Sequence, residues 1–398
     1  MVDFQRSSRE LELETRTHEF IRNVVMPYER DARLTSHGPT DDLLHELRAK
    51  ARAAGLLAPQ VGVEWGGYGL NHREIATVLR ACGYSLLGPL AMNCMAPDEG
   101  NMHLLEKVAT AEQKERFLKP LAAGDIRSAF LMTEPDGGAG SDPSMLSTEA
   151  TQDGRHWKIS GRKWLITGAQ GASFGIIMAR TGDAATMFLA DMNSPGIIIE
   201  RVLDTIDESM PGGHAIVRLE NVQVDENQIL GKLHEGFRYA QVRLAPARLT
   251  HCMRWWGAAR RAHDIATDYA CTRRSFGKTL IEHEGVGFML ARNEIDLEQT
   301  RLMIEYVAWT LDQGSKATAE SSMAKYACAE TLYAIADRCM QILGGLGVTD
   351  DTVVSRIFLE IRAFRIYDGP SEVHLWSLAN RIQRKWQQAR SVVAKEGW

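Results

Sequence analysis

Three short constellations in this sequence carry residue types that could do chemistry. IYDGPSEVH (366–374) sets Asp368 between Tyr367 and Gly369-Pro370. A carboxylate there could accept a proton as a general base. It could also cap a helix opening near Pro370, because Asp is favoured just before a first-turn proline. LMTEPDGGAGSD (131–142) runs from a strand end into a Gly-rich loop. Such a loop offers free backbone N–H groups to a ligand, or makes a turn and nothing more. RRSFGK (273–278) is basic and aromatic at a predicted helix C-terminus, where cations offset the helix dipole.

Other patterns lack the context that their chemistry needs. GASFG (171–175) has the spacing of a hydrolase nucleophile elbow, but a strand-like run follows it where a helix is required. FGKT (276–279) ends like a phosphate-binding loop, yet the first glycine position is Thr272. No GxGxxG follows a strand, and no His-Glu pair has the second histidine of a zinc helix, so no metal site is expected.

The elements that must position these residues change texture along the chain. Residues 7–30 and 41–54 have helical spacing, the second starting with aspartates suited to a cap and stopping at Gly55. Between 129 and 230 the runs HWKIS, KWLIT, FGIIMAR, TMFLADM, GIIIERV and HAIVRLENVQV predict an antiparallel sheet with no helix between its strands. Beyond Gly236 helices return at about 234–271, 281–313, 316–343, 350–363 and 371–388. Within the second of these, Val286, Leu290, Asn293, Leu297, Thr300, Ile304, Val307 and Leu311 form the seam of a bundle helix. The predicted division is an N-terminal helical domain (1–128), a central β-domain (129–232) and a C-terminal helical bundle (233–398).

Composition closes off several functions. The 46 Lys and Arg against 51 Asp and Glu give a net charge of −5 without a basic run, so no nucleic-acid partner is expected. No apolar stretch approaches the roughly 18–20 residues of a membrane span, and the charged N-terminus lacks a secretion signal. The six cysteines have no CxxC spacing, as suits buried thiols in a reducing cytoplasm.

Taken in order, GNMHLLEKVATAEQKERFLKPLAAGDIRSAFLMTEPDGGAGSD (100–142), GRKWLITGA (161–169), LGKLHEGF (230–237), RRSFGKTLIEHEGVGFMLA (273–291), QILGGLG (341–347) and IYDGPSEVH (366–374) resemble the acyl-CoA dehydrogenase family. HCMR (251–254) and DGPSEVHL (368–375) resemble its subgroup with aspartate in place of the usual glutamate base. The resemblance implies a helical domain, a β-domain and a four-helix bundle, with FAD between the last two and a homo-oligomer, usually a tetramer. It implies α,β-dehydrogenation of an acyl-CoA to the trans-2-enoyl-CoA, with electrons passing to an electron-transfer flavoprotein.

Carried over by residue, Met132, Thr133, Ile166 and Thr167 border the flavin. Arg273, Ser275, Phe276 and His283 contact its pyrophosphate and adenosine part. Gln341 and Gly345 reach FAD across a subunit interface, and Pro370 and Glu372 also fall on FAD positions. Ser141, Arg248, Tyr367 and Gly369 line the acyl-CoA site. Asp368 becomes the base, because the alternative acidic position, just before Arg248, is Ala247. Leu90, Met92, Cys94, Met95 and Ala96, apolar and small to medium, read equally as the acyl pocket lining or as helix core.

The chain also departs from the family pattern. Asp368 is one methylene shorter than the family glutamate, and Pro370 replaces a threonine. Leu165 replaces the flavin-side tryptophan, with Trp164 one place early, and the EPDGGAGSD loop has an extra residue. The resemblance also extends to nitroalkane oxidase, so the alternative is a flavin oxidase or monooxygenase on the same scaffold.

Overall fold

The computed structural model describes residues 4–135 and 137–395, so Asp136 of the Gly-rich loop lies outside the described residues. Ser7 and Glu10 exchange side-chain and backbone bonds and start α1 (Ser8–Phe20) with a reciprocal cap. Thr40, not an aspartate, caps α2 (Asp41–Ala53), since its hydroxyl accepts from the Leu43 amide. Asp41 and Asp42 sit one step further in, where their charge complements the helix dipole. Gly55, at φ +63°, ends the turn as predicted. α3 (His72–Cys82) and α4 (Asp98–Val108) complete the main helices of this region.

The centre is one seven-stranded sheet: β1 (Ser128–Leu131), β2 (Glu149–Asp153), β3 (His156–Thr167), β4 (Phe174–Thr181), β5 (Ala184–Asp191), β6 (Ile197–Leu203) and β7 (His214–Asp225). Its order is β1-β4-β2-β3-β7-β6, with β5 also on β4. The pairing is antiparallel as predicted except where β1 and one residue of β2 run parallel to β4. The crossover from β1 to β4 is made by the β2–β3 hairpin, which replaces the helix of a βαβ unit.

HWKIS and KWLIT, read as two runs, are a single strand. It bends at Gly161, where a Cβ would lie 2.4 Å from Thr148 Oγ1, and again at a bulge between Lys163 and Ile166. Ser173 of GASFG leads directly into β4, so no nucleophile elbow exists.

The bundle consists of α5 (Gly236–Thr272), α6 (Glu284–Asp312), α7 (Thr318–Leu343), α8 (Val354–Phe364) and α9 (Ser371–Lys395), with α7 against all four others. On α6, Leu290, Asn293, Leu297, Thr300, Ile304 and Val307 are buried along the predicted seam, while Val286 and Leu311 are half-buried. One hydrophobic core joins the helices to one face of the sheet, and a second fills the β-domain. No described helix is long and apolar enough to cross a membrane. All six cysteines are free, and no metal-binding cluster occurs among the described residues.

Candidate active site

The turn between α8 and α9 holds Asp368 in a left-handed conformation, at φ +53°. Gly369 follows at φ +95°, and a Cβ there would lie 2.9 Å from His374 Nε2, so the position requires glycine. Three side chains fasten this turn by its backbone. Lys325 Nζ donates to the carbonyls of Phe364 (2.6 Å) and Gly369 (3.0 Å). Arg248 Nε (3.3 Å) and His374 Nε2 (3.2 Å) both donate to the Asp368 carbonyl. Burial, with Arg248 and Lys325 nearby, lowers the His374 pKa to about 4, so it acts as a neutral donor. The Asp368 carboxylate does not cap α9, because the Pro370 carbonyl accepts the Val373 and His374 amides instead. The side chain is left facing the interior.

That carboxylate is charged, nearly enclosed and short of partners. Its Oδ2 lies 3.2 Å from His251 Nε2 but makes no aligned hydrogen bond, and only 16% of the side chain is exposed. Arg254 Nη2 lies 3.1 Å from His251 Nδ1. A guanidinium can only donate, so Nδ1 is bare and the hydrogen of the neutral ring sits on Nε2, toward Asp368. Burial and then Arg254 lower the His251 pKa, which keeps the ring in that neutral form. Burial alone would raise the Asp368 pKa, but His251, Arg243 and Arg248 outweigh it and hold the group well below the usual carboxylate range. Arg243 is itself pinned, donating to Asn101 Oδ1 at 2.8 Å and lying 4.1 Å above the Phe130 ring.

On the β-domain side, Glu134 and Lys163 form a fully buried ion pair at 2.9 Å. Lys163 Nζ also donates to the Met132 and Met178 carbonyls. Glu134 accepts from the amides of Ala139, Ser147 and Thr148 and from the Ser147 hydroxyl. This pair fixes the strand end carrying Met132 and Thr133, which are half-buried. Thr133 and Trp164 exchange bonds at 2.9 and 2.5 Å, which ties that end to the bulge of β3. Trp164 and Leu165 stay about 40% exposed there. Ile166 is 1% exposed and turns into the β-domain core, which leaves its backbone as the part open to a cofactor. The strand alternation that buries Ile166 brings Thr167 into a cleft with Gly168, Leu90, Met95 and Ala96. Met92 and Cys94, from the same predicted pocket, are core residues.

The remaining candidates fall into separate groups. Arg248, Tyr367, Asp368, Gly369 and Pro370 come together at the α8–α9 turn. Glu372 is exposed on the first turn of α9. Arg273 ends α5 and is exposed, with no ion pair among the described residues. Ser275 and Phe276 lie on the hairpin after it, and His283 Nε2 closes that hairpin by bonding the Ser275 carbonyl at 3.0 Å. Phe276 is 94% exposed. Gln341 and Gly345 are exposed at the end of α7. Ser141 sits exposed in the Gly-rich loop.

Sequence reading missed Arg243, Lys325 and His374, and gave His251 no role. The available signals were the HCMR string for His251 and the last residue of IYDGPSEVH for His374; Arg243 and Lys325 had none, because these side chains converge from α5, α7 and α9.

Three family models match the chain in order: Acyl-CoA dehydrogenase, N-terminal domain (7–125), middle domain (129–221) and C-terminal domain (234–383). The Mycobacterium tuberculosis protein named "Probable acyl-CoA dehydrogenase FadE2" is 36% identical over 95% of this chain and 96% of its own length. Acyl-CoA dehydrogenase family member 11 of Gallus gallus is 34% identical over 98% of this chain, which spans only 52% of that longer protein. A solved Mycobacterium abscessus structure, titled "Structure of a putative acyl-CoA dehydrogenase from Mycobacterium abscessus", superposes with a TM-score of 0.89 at 36% identity. It covers 96% of this chain and 100% of its own.

Proposed function

The chain belongs to the acyl-CoA dehydrogenase family and is an FAD-dependent enzyme of it, and from that premise we propose that it converts an acyl-CoA thioester to the trans-2-enoyl-CoA with Asp368 as the base. The carrying observation is the unsatisfied, charged Oδ2 of Asp368 inside a nearly closed site. A carboxylate whose lone pairs are all engaged by fixed donors cannot take a proton readily; this one has a vacant acceptor position.

The residues present suit the cofactor. Arg273 is a free cation for a pyrophosphate. Met132, Thr133 and the Thr167 hydroxyl offer a polar strand edge, and Gln341 and Gly345 are exposed for use by a neighbouring subunit. When bound, FAD supplies the acceptor for the β-hydride. The α-proton of the thioester passes to Asp368 Oδ2. Arg243, Arg248 and His251 keep that oxygen ionised until substrate arrives, and expulsion of water by the acyl chain then raises its proton affinity. His251 faces the carboxylate at 3.2 Å without an aligned bond and takes no proton itself, because Arg254 occupies its other nitrogen.

Two further readings complete the proposal. The chain works as a homo-oligomer, a tetramer in the family pattern. Phe288, Ile295 and Tyr306 on α6 and Trp376, Ile382 and Trp386 on α9 are exposed large apolar side chains suited to a second copy. An electron-transfer flavoprotein is the electron acceptor. Anaerobic titration of the yellow protein with a panel of acyl-CoAs tests the central claim. Bleaching of the flavin supports it, and an unchanged spectrum with every thioester defeats it. Rapid reoxidation of the bleached protein by air would favour an oxidase over a dehydrogenase.

A further inference from the structure

A second hydrogen-bonded chain in the β-domain has no part in this proton abstraction. His214 opens β7 directly across the ladder from Thr167, the last residue of β3. Its Nδ1 is 3.0 Å from Thr167 Oγ1, and its Nε2 is 3.0 Å from Asp207 Oδ2. The His214 and Asp207 side chains are only 12% and 11% exposed. Burial opposes the Asp207 charge, but His214 and Thr205 outweigh it and keep its pKa below the ordinary value.

A carboxylate can only accept, so Nε2 carries a hydrogen toward Asp207. On the neutral ring Nδ1 is then bare, and the Thr167 hydroxyl must donate to it. The hydroxyl lone pairs are then free of His214, and Thr167 lines a cleft with Leu90, Met95 and the Arg48–Asp98 ion pair. Protonation of His214 reverses the pattern: Nδ1–H donates to Oγ1, and the hydroxyl hydrogen turns toward the cleft.

From this geometry we propose that Asp207 and His214 set the direction of the Thr167 hydroxyl and thereby couple one proton on His214 to the redox state of the bound FAD. The inference rests on the placement of the flavin against Thr167 proposed above. The redox-active ring nitrogen accepts a hydrogen bond when oxidised and carries a hydrogen when reduced. A neutral His214 makes Thr167 an acceptor, which matches the reduced ring. A protonated His214 makes it a donor, which matches the oxidised one. Reduction by two electrons therefore favours loss of the His214 proton to solvent. His214 acts through Thr167 and is a positioning residue.

Other charged and titratable groups surround this chain. His37, 3.9 Å from Asp204, lies against Gly213. Arg127 donates to the Gly168 and Pro211 carbonyls. Glu208 pairs with Arg356 at 2.7 Å. Glu360 of α8 accepts from the Glu208 amide and the Ser209 hydroxyl, and Asp207 acts electrostatically on both Glu360 and Tyr367. Glu360 is the principal competitor for any proton seen.

The test is the midpoint potential of the FAD-loaded, full-length protein, followed spectroscopically from pH 5 to 9. The wild-type profile should become shallower, over about one to two pH units, by one proton per two electrons. That is tenfold in the reduction equilibrium per pH unit, or about 30 mV for a two-electron couple. His214→Gln should remove the break, and Thr167→Val should remove it with His214 still in place, whereas Glu360→Gln should leave it. The same profile in wild type and both His214→Gln and Thr167→Val overturns the relay, as does a break that disappears in Glu360→Gln. Protein that takes up no FAD overturns the flavin placement itself. FAD-loaded protein with an unbroken profile overturns the relay alone.

Discussion

Glu134 in the β-domain and Asp368 at the end of the bundle are both carboxylates enclosed beside cations, and they have been treated in opposite ways. Every Glu134 oxygen is engaged, by Lys163, by the Ala139, Ser147 and Thr148 amides and by the Ser147 hydroxyl. Burial would raise its pKa, yet Lys163 and these donors bring it down to about 2. Asp368 is held just as firmly, but by its backbone carbonyl, leaving Oδ2 without an aligned donor. A saturated carboxylate is a fastening. An enclosed but unsaturated one suits the proposed role of reagent, because a buried unpaired acceptor is costly until a proton or ligand arrives.

The largest effect should come from removing the reagent. Asp368→Asn keeps the size of the side chain but cannot accept the α-proton. Flavin reduction by acyl-CoA should fall by about 10²–10⁴-fold, with flavin content and melting temperature near wild type. Stopped-flow bleaching measures it, and wild-type rates would falsify the assignment of the base.

Removing the fastening should do the reverse. Glu134→Gln leaves Lys163 buried without its counter-charge, which costs about 3–5 kcal/mol of stability. The rate of reduction per bound flavin should change little. Denaturant unfolding of Glu134→Gln beside the double variant Glu134→Gln/Lys163→Met sharpens the point, since the double variant should recover most of the loss. If the single variant unfolds at the wild-type midpoint, Glu134 is not a fastening.

His251→Phe tests the ring that lies 3.2 Å from the Asp368 carboxylate. The ring makes no aligned bond there, so its loss acts through the pKa, at about 1.4 kcal/mol per pKa unit, and reduction should slow by roughly tenfold. The rate–pH profile should also shift upward, because the first group that lowers the Asp368 pKa against burial is gone. A rate loss with no shift of the profile would make His251 a packing residue.

The smallest effect concerns a third carboxylate, intermediate between the two. Glu360 accepts from Ser209 and Glu208, but burial dominates and raises its pKa to about 7. For an acid with a raised folded pKa, the stabilising contribution is complete below its unfolded value of 4.5 and is lost as pH climbs through 7. Glu134 has the opposite sign: its contribution is present above 4.5 and disappears as pH falls toward 2. Stability should therefore decline between pH 5 and 7 by at most about 1.4 kcal/mol per unit, and Glu360→Gln should flatten that decline. Melting curves at a series of pH values decide it.

Much of the architecture was legible from local rules. The α–β–α order, the Gly55 stop and the buried α6 seam follow from spacing, capping chemistry and helical periodicity. So did the candidacy of Asp368, as one of two readings that the residues alone left open. The turn speaks against the capping reading: a left-handed Asp368 ahead of an obligatory glycine directs the carboxylate inward, and Pro370 takes over the helix terminus. Likewise, the single bent β3 and the parallel β1–β4 pairing depend on partners tens of residues away. Periodicity buried the Ile166 side chain once the strand register was set, but only folding brought Thr167 against His214 and Asp207. Local sequence determines which bonds a residue can make and which element it joins. The long-range meeting of α5, α7 and α9 around one turn determines which bonds are left unmade, and that is where the proposed base stands.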